Sequence, residues 1–259
     1  AAPKDAKKLN ATKGFNRIRQ HLLITHIIPL NNANKPFDDK RVRQAVALVL
    51  DQQGILNVTN DVKATLFGGG WFTDGTVFGV PAAELASYKY FRTPTSEDIA
   101  EAKQLMADAG YPNGDGIPTL NFVVRDTVNQ TMRAPAIQAI LKRDLGIETK
   151  IQVVDVSQHG ELLNQGEFDI APEGGTWAFL PGTYHLKQLF GTCGDSPCSG
   201  NFVGYQNAAF DTMMEKMDKE TDPDKQFQLS RDFWDLLNEE MPSIPLDTSE
   251  ITYLSLIHI

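Results

Sequence analysis

The chain is short of several things that would each have fixed a function class. It has no long apolar run: the longest, residues 22–30 (LLITHIIPL), spans nine residues and is interrupted by His26 and Pro29, against the about 18 needed to cross a bilayer as a helix. It has no starting Met and no basic-then-apolar leader with a small-residue cleavage site. That profile fits either a cytoplasmic protein or a chain whose native N-terminus lies further upstream. Only two cysteines and five histidines occur in 259 residues. The histidines (21, 26, 159, 185 and 258) show no ligand spacing, so neither a disulfide scaffold nor a zinc site is expected. Gly-x-Ser-x-Gly, His-Glu-x-x-His, a Walker loop and Gly-x-Gly-x-x-Gly between a strand and a helix are all missing. There is no internal repeat and no low-complexity tract.

Positive charge is also scarce. The formal net charge is −9, which argues against a nucleic-acid partner because phosphate neutralisation needs a basic field. The imbalance is uneven: residues 1–43 carry ten Lys/Arg against three Asp/Glu, a local +7 that leaves −16 for the rest. That start reads as a solvated basic face. With 41% hydrophobic and 22% charged residues, the composition is that of an ordinary globular chain of one or two domains.

What is present is a regular α/β pattern. Residues 22–30 read as a buried strand. Residues 36–56 follow as an amphipathic helix, with Val42, Ala45, Val46, Val49 and Leu50 on one face, Asp38 or Asp39 as cap and Gly54 as stop. Residues 57–94 are rich in Gly and Pro and read as loops and short pieces. Thr95 or Ser96 then caps a helix that ends at Gly110. A strand over 119–124, a helix over 129–145 stopped by Gly146, a strand over 147–155, a helix over 157–165 and a strand over 168–171 follow. This alternation marks a layered domain with crossover connections. Residues 172–207 read as loop, two helices over 208–219 and 224–240 come next, and Pro242 and Pro245 bracket a final extended segment.

Two loop features carry chemistry. Cys193 and Cys198, in a turn-rich CGDSPC segment, can close a small disulfide ring or remain a reduced pair. Trp71, Phe72, Trp177, Phe179, Tyr184, Phe202 and Tyr205 all fall in Gly/Pro-rich stretches. Taken singly each fits core packing; as a group they favour small-molecule binding over catalysis. An α/β hydrolase or transferase using Asp169, Glu173 and His185 stands as the enzyme alternative.

The segment 34–45 (NKPFDDKRVRQA) resembles the most recognisable stretch of the peptide/nickel-type solute-binding proteins of ABC importers, extracellular solute-binding protein family 5. Six further segments resemble that family in the family's order: 102–112 (AKQLMADAGYP), 145–147 (LGI) with the Val-rich strand behind it, 166–170 (GEFDI) leading to Trp177, 201–207 (NFVGYQN), Phe210-Asp211, and 240–246 (EMPSIPL). The resemblance spans about residues 22–250. It implies a periplasmic-binding-protein-like type II lobe: an α/β fold with a mixed sheet flanked by helices and loop-rich excursions. It also implies a substrate-binding component that takes an oligopeptide or peptide-like solute into an interlobe cleft and delivers it to the membrane subunits of an ABC permease, outside the cytoplasm as a periplasmic protein or cell-surface lipoprotein.

On that reading residues 1–30 are the remnant of an N-terminal lobe and hinge strand. Residues 31–254 are the C-terminal lobe, residues 255–259 are a non-native tail, and the rest of the N-terminal lobe is the missing partner. Ligand contacts fall to Trp177, Tyr184, Glu173, Asn201 and Tyr205, with backbone groups near Gly174 and Gly175; no cofactor, metal or catalytic residue is implied. Many peptide binders of the family carry an Asp a few residues after the Trp matching Trp177, where it pairs with the ligand's α-amino group. Here the run 177–184 (WAFLPGTY) has no carboxylate, and Glu173 is the substitute on the other side. A binder of another solute, such as a sugar or a metal chelate, and a ligand sensor are the alternatives within this fold.

Overall fold

A computed structural model describes residues 16–59, 71, 79, 80, 82–175 and 184–255. The apolar run read as a strand lies inside a longer one, β1 (Asn16–Pro29), which pairs antiparallel with the last strand, β7 (Ser243–Ser255), from Asn16 opposite Ser255 to Pro29 opposite Ser243. Pairing jumps from His21 opposite Glu250 to Thr25 opposite Thr248, so β1 spends four residues where β7 spends two.

The helix expected over 36–56 is two. Asp39 caps α1 (Lys40–Val49) by accepting from the Arg41 amide at 2.9 Å, and Val42, Ala45, Val46 and Val49 are buried on its inner face. Leu50 then turns extended, and the Asp51 carboxylate accepts from the Gly54 amide at 3.0 Å as α2 (Gln52–Thr59) begins. Gly54 therefore lies inside a second helix instead of ending the first, because an Asp side chain offers the backbone a local partner that restarts the helix. Beyond it come a single helical turn, α3 (Ala82–Leu85), and a 3-10 turn at Lys89–Phe91. Thr95 and Asp98 form a reciprocal capping box that opens α4 (Ser96–Asp108).

The centre is a crossover unit: β2 (Leu120–Arg125), α5 (Val128–Leu145) and β3 (Thr149–Val154), with β2 and β3 parallel. Gly146 ends α5 at φ +70°, and a Cβ there would lie 1.9 Å from the Asn113 carbonyl oxygen, so both the turn and the close approach demand glycine. Asp155 caps α6 (Val156–Gln165). The strand expected over 168–171 is thinner than that: Ile170 alone bridges Leu30 on one side and Phe122 on the other, and the ladder continues as β4 (Glu173–Gly175) against β1. The described strands thus follow the order β3, β2, the 169–175 run, β1, β7, parallel on one side of that run and antiparallel on the other. This is the mixed sheet expected.

Residues 184–190, expected as loop, form a helix, α7 (Tyr184–Phe190). The short hairpin of β5 (Thr192–Cys193) and β6 (Ser196–Pro197) follows it, then α8 (Ala208–Lys219) and α9 (Pro223–Glu240), capped by Asn207 and Asp222 close to the boundaries expected. Phe37, Phe122, Phe190, Phe210, Phe233 and Trp234 are fully buried in the main core. A smaller cluster of Val123, Val154, Leu163, Phe168 and Ala171 lies beside α6.

Two polar side chains bind distant segments together inside this core. Asn31 donates to the carbonyls of Gly166 (3.1 Å) and Phe168 (2.9 Å), fixing the end of β1 to the end of α6. Arg43, 3% exposed, donates to the carbonyls of Phe37 (2.8 Å), Glu240 (2.6 Å) and Met241 (3.1 Å), joining the turn before α1 to the end of α9.

Candidate functional site

In open sheets with parallel strands, ligands bind outside the carboxyl ends of those strands. Here that edge is built from the ends of β2 and β3, the starts of α5 and α6, and β4. Thr127 caps α5 and Asp155 caps α6, accepting from the Ser157 and Gln158 amides at 2.8 and 3.0 Å. Each helix therefore starts directly at the end of its strand. The first residues of both are apolar and uncovered: Val128 is 60% exposed and Val156 63%, and Met132 and Val153 are also exposed. Met132 is one turn along α5 from Val128. Apolar side chains left open at the ends of two adjacent parallel strands form a surface suited to an apolar group of a ligand.

Beneath this surface the Arg125 Nε donates to His159 Nδ1 at 3.3 Å. His159 is fully buried, and burial, with the Arg125 charge adding to it, lowers its pKa to about 4. Its imidazole is neutral at pH 7, and Arg125 supplies a fixed positive charge at the edge.

β4 lies at the rim of the same edge. Glu173 and Gly175 pair with Ile27 and Thr25 of β1. By strand alternation the N–H and C=O of Gly174 then point away from β1, to the β2 side, just beyond Arg125 where β2 has ended.

The residues singled out from sequence distribute unevenly around this edge. Glu173 sits in β4, but its side chain lies outside the described residues. Trp177 lies outside them entirely, as do Phe72 and Phe179. Tyr184 is the first residue of α7, its side chain likewise undescribed. Asn201 and Tyr205, expected at the ligand, are instead turned into the chain. The Asn201 amide donates to the carbonyls of Gly191 (3.1 Å) and Tyr205 (2.7 Å) and accepts from the Tyr205 amide (3.2 Å). Tyr205 packs edge-on against Phe190 and Phe210, with the Arg43 guanidinium 6.0 Å from its ring centre, and burial pushes its phenol pKa up. The sequence places both in a Gly-rich loop; three bonds from one carboxamide make that loop part of the core. Trp71 is also buried, donating to Asn238 at 2.9 Å, and Phe202 packs against Phe168.

Cys193 and Cys198 are joined as a disulfide across the β5–β6 hairpin. Asn201→Ala should therefore act on the loop that follows this hairpin and not on binding. It takes the carboxamide partner from both the Tyr205 carbonyl and the Tyr205 amide, while the Gly191 carbonyl keeps the Cys198 amide at 3.0 Å, for a loss of about 1–3 kcal/mol in urea unfolding, with ligand affinity unchanged in calorimetry.

The enzyme alternative finds no support in this geometry. Asp169 accepts from the Asn121 amide at 2.6 Å, and burial raises its pKa. Four residues of extended chain, roughly 13 Å, separate it from Glu173, and the His185 side chain lies outside the described residues. No group of three or more His, Cys, Asp or Glu able to hold a metal ion occurs among the described residues. No described helix is long and apolar enough to cross a membrane.

Sequence reasoning missed Arg125, His159, Gln130 and the exposed valines. Val128 and Val156 do carry a signal: each is an apolar residue at the first position of a helix that follows a parallel strand.

Residues 1–197 match the bacterial extracellular solute-binding proteins, family 5 Middle. The chain belongs to this family. Among curated family 5 relatives, the periplasmic oligopeptide-binding protein OppA of Escherichia coli (strain K12) is 28% identical over 203 residues, covering 77% of the chain and 35% of OppA. The oligopeptide-binding protein AppA of Bacillus subtilis is 30% identical over 235 residues, 82% of the chain and 38% of AppA. The glutathione-binding protein GsiB of Salmonella choleraesuis is 25% identical over 250 residues, 93% of the chain and 45% of GsiB. The chain thus spans well under half the length of these relatives.

Solved structures agree on the fold. The oligopeptide-binding protein OppAIV of Borrelia burgdorferi superposes with a TM-score of 0.79 at 23% identity, over 98% of the chain and 48% of its own. AppA of Bacillus subtilis, in complex with a nonapeptide, does so with 0.77 at 21%, over 97% and 50%. The α/β fold of this chain is that of the type II periplasmic-binding-protein-like peptide binders.

Proposed function

We propose that this family 5 chain forms one wall of a ligand cleft in the substrate-binding component of an ABC importer, and that its ligand is an oligopeptide or a peptide-like solute. The observation that carries the reading is β4: a glycine-containing strand whose Gly174 N–H and C=O point past the end of β2, where no strand pairs with them among the described residues, at the same edge of the sheet as the exposed Val128 and Val156. An extended peptide adds to such an edge through its main chain and places alternate side chains in flanking pockets. A sugar or a metal chelate has no repeating amide to match it. The names of OppA and AppA support the same class of ligand.

On this reading residues 31–254 make one lobe and residues 1–30 lead into it from the facing lobe. That lobe corresponds to the part of the relatives outside the matched range and supplies the second wall. Closure of the two walls shifts an open/closed equilibrium by the difference in contacts each state makes with the ligand. The closed form is what the permease subunits recognise, and the site of action is extracytoplasmic. Glu173, Trp177 and Tyr184 remain the side chains assigned to the ligand, with Glu173 as partner for a peptide's α-amino group.

The test is thermal and calorimetric titration of the full-length gene product with trialanine, trileucine, trilysine, triglutamate and glutathione. At one hundred times its Kd, a binding peptide should add about 2.7 kcal/mol of stability and raise Tm accordingly. If these peptides leave Tm unmoved while a sugar or chelate raises it, the peptide assignment is wrong.

A further inference from the structure

The ladder between β2 and the run leading into β4 stops in an unusual way. Asp169 and Ile170 donate to the Asn121 carbonyl (3.0 and 3.2 Å), and Val123 donates to the Ile170 carbonyl at 2.9 Å. In a parallel ladder the next two rungs would run from residue 172 to the Val123 carbonyl, and from the Arg125 amide to the carbonyl of residue 172. Residue 172 is proline, so the first of these has no donor.

The second is interrupted by a side chain. The Arg125 amide donates to Gln130 Oε1 at 2.6 Å, and Gln130 Nε2 donates to the Pro172 carbonyl at 3.0 Å. The carboxamide stands between the two strands as a peptide group would. Its orientation is fixed by chemistry, since Arg125 offers an N–H and Pro172 only a carbonyl. Two hydrogen bonds and the width of an amide replace one bond of about 2.9 Å, so β4 is held away from β2 one residue before Glu173. Gln130 itself sits in the first turn of α5, whose start is fixed by the Thr127 cap.

We propose that Gln130 is a positioning residue for the ligand. As a wedge between β2 and β4 it keeps the Gly174 N–H and C=O facing a slot that admits the main chain of an extended ligand. Without the wedge the Pro172 carbonyl is released, and β4 no longer presents a fixed edge. The inference rests on the peptide-binding reading for its affinity consequence. For its structural consequence it rests only on the two bonds.

Two variants of the full-length protein test it. Gln130→Leu removes both bonds. Gln130→Glu keeps an acceptor for the Arg125 amide but sets a carboxylate oxygen against the Pro172 carbonyl. For whichever peptide of the panel binds, both variants should raise Kd tenfold or more by calorimetry while Tm changes by less than about 3 °C, as suits a half-buried residue near the surface. By hydrogen exchange, the Arg125 amide should lose protection in the Leu variant and keep it in the Glu variant, whereas the Glu173 and Gly175 amides should exchange tenfold faster in both. Affinity within twofold of wild type in both variants overturns the proposal. If the wild-type protein binds none of the peptides, the functional reading fails and the wedge is judged on exchange alone. Unchanged protection of Glu173 and Gly175 then overturns it, and faster exchange in both variants sustains it.

Discussion

Arg43→Met should destabilise the protein by about 3–5 kcal/mol, the range for removing one member of a buried charged network. For a chain of this size that corresponds to a Tm roughly 6–20 °C lower. The side chain is 3% exposed, and its fork joins segments that are some two hundred residues apart in sequence: the Phe37 carbonyl before α1 and the Glu240 and Met241 carbonyls at the end of α9. Those last carbonyls belong to a helix terminus, where a positive charge is also favoured by the dipole. Methionine fills similar volume but leaves at least three carbonyls without this donor, and each unsatisfied buried acceptor costs about 1–3 kcal/mol. Burial lowers the pKa of the guanidinium, with the neighbouring Tyr205 phenol and Glu240 carboxylate opposing the shift. Arg43→Lys keeps a charge but loses the fork, and should fall between wild type and Met. Urea unfolding of the three proteins decides the matter; a Met variant within 1 kcal/mol of wild type would show that the fork is dispensable.

Acid should weaken the protein through His159 well before general carboxylate titration. In the folded chain its pKa is about 4, against an ordinary value of 6.5. The unfolded state therefore binds the proton first, and stability rises with pH through the interval from 4 to 6.5. The contribution is fully present above pH 6.5 and is lost as pH falls toward 4. The separation of the two values corresponds to about 3 kcal/mol at 1.36 kcal/mol per pKa unit. The penalty has a visible source: a protonated imidazole would sit fully buried, 3.3 Å from the Arg125 guanidinium. His159→Gln removes the titration, so its stability between pH 7 and 4.5 should fall by less than that of wild type, the difference being about 2–3 kcal/mol. Parallel pH profiles for the two proteins would refute the assignment.

Much of the architecture is written in local signals. The inner face of α1, the capping of α4 at Thr95, the Gly146 stop, the helices over 208–219 and 224–240, and the extended segment after Pro242 all follow from periodicity and caps, which act over a few residues. What could not be read depends on partners far away in the chain. The break at Leu50 and Asp51 turns on which of two competing caps the backbone accepts. Asn201 and Tyr205 look like ligand groups in a loop until the Gly191 carbonyl and the Phe190 and Phe210 rings are placed beside them. The Gln130 wedge needs β2, α5 and Pro172 together, and Gln130 alone is an unremarkable polar residue in a helix. For the candidate site, the sequence marked the backbone near Gly174 and Gly175 but read 172–207 as loop, so the strand Glu173–Gly175 went unseen, and it assigned to the ligand two residues that serve the core. It gave no weight to the valines at the strand ends, because exposure is a tertiary property.

The two residues by which β1 outruns β7 between His21 and Thr25 set the shape of the ribbon those strands form. When one member of a bonded pair is longer over the same interval, its extra residues are left out of the ladder and the strand bends there. Just beyond, β7 steps two residues, from Asp247 to Pro245, against the single step of β1 from His26 to Ile27, so irregularities on both strands follow one another and each tightens the local right-handed twist. Residues 16–21 of β1, still paired with β7 as far as Ser255, are thereby twisted relative to residues 25–29. That twist is written into the chain as a difference in length, two residues on β1 and then one on β7.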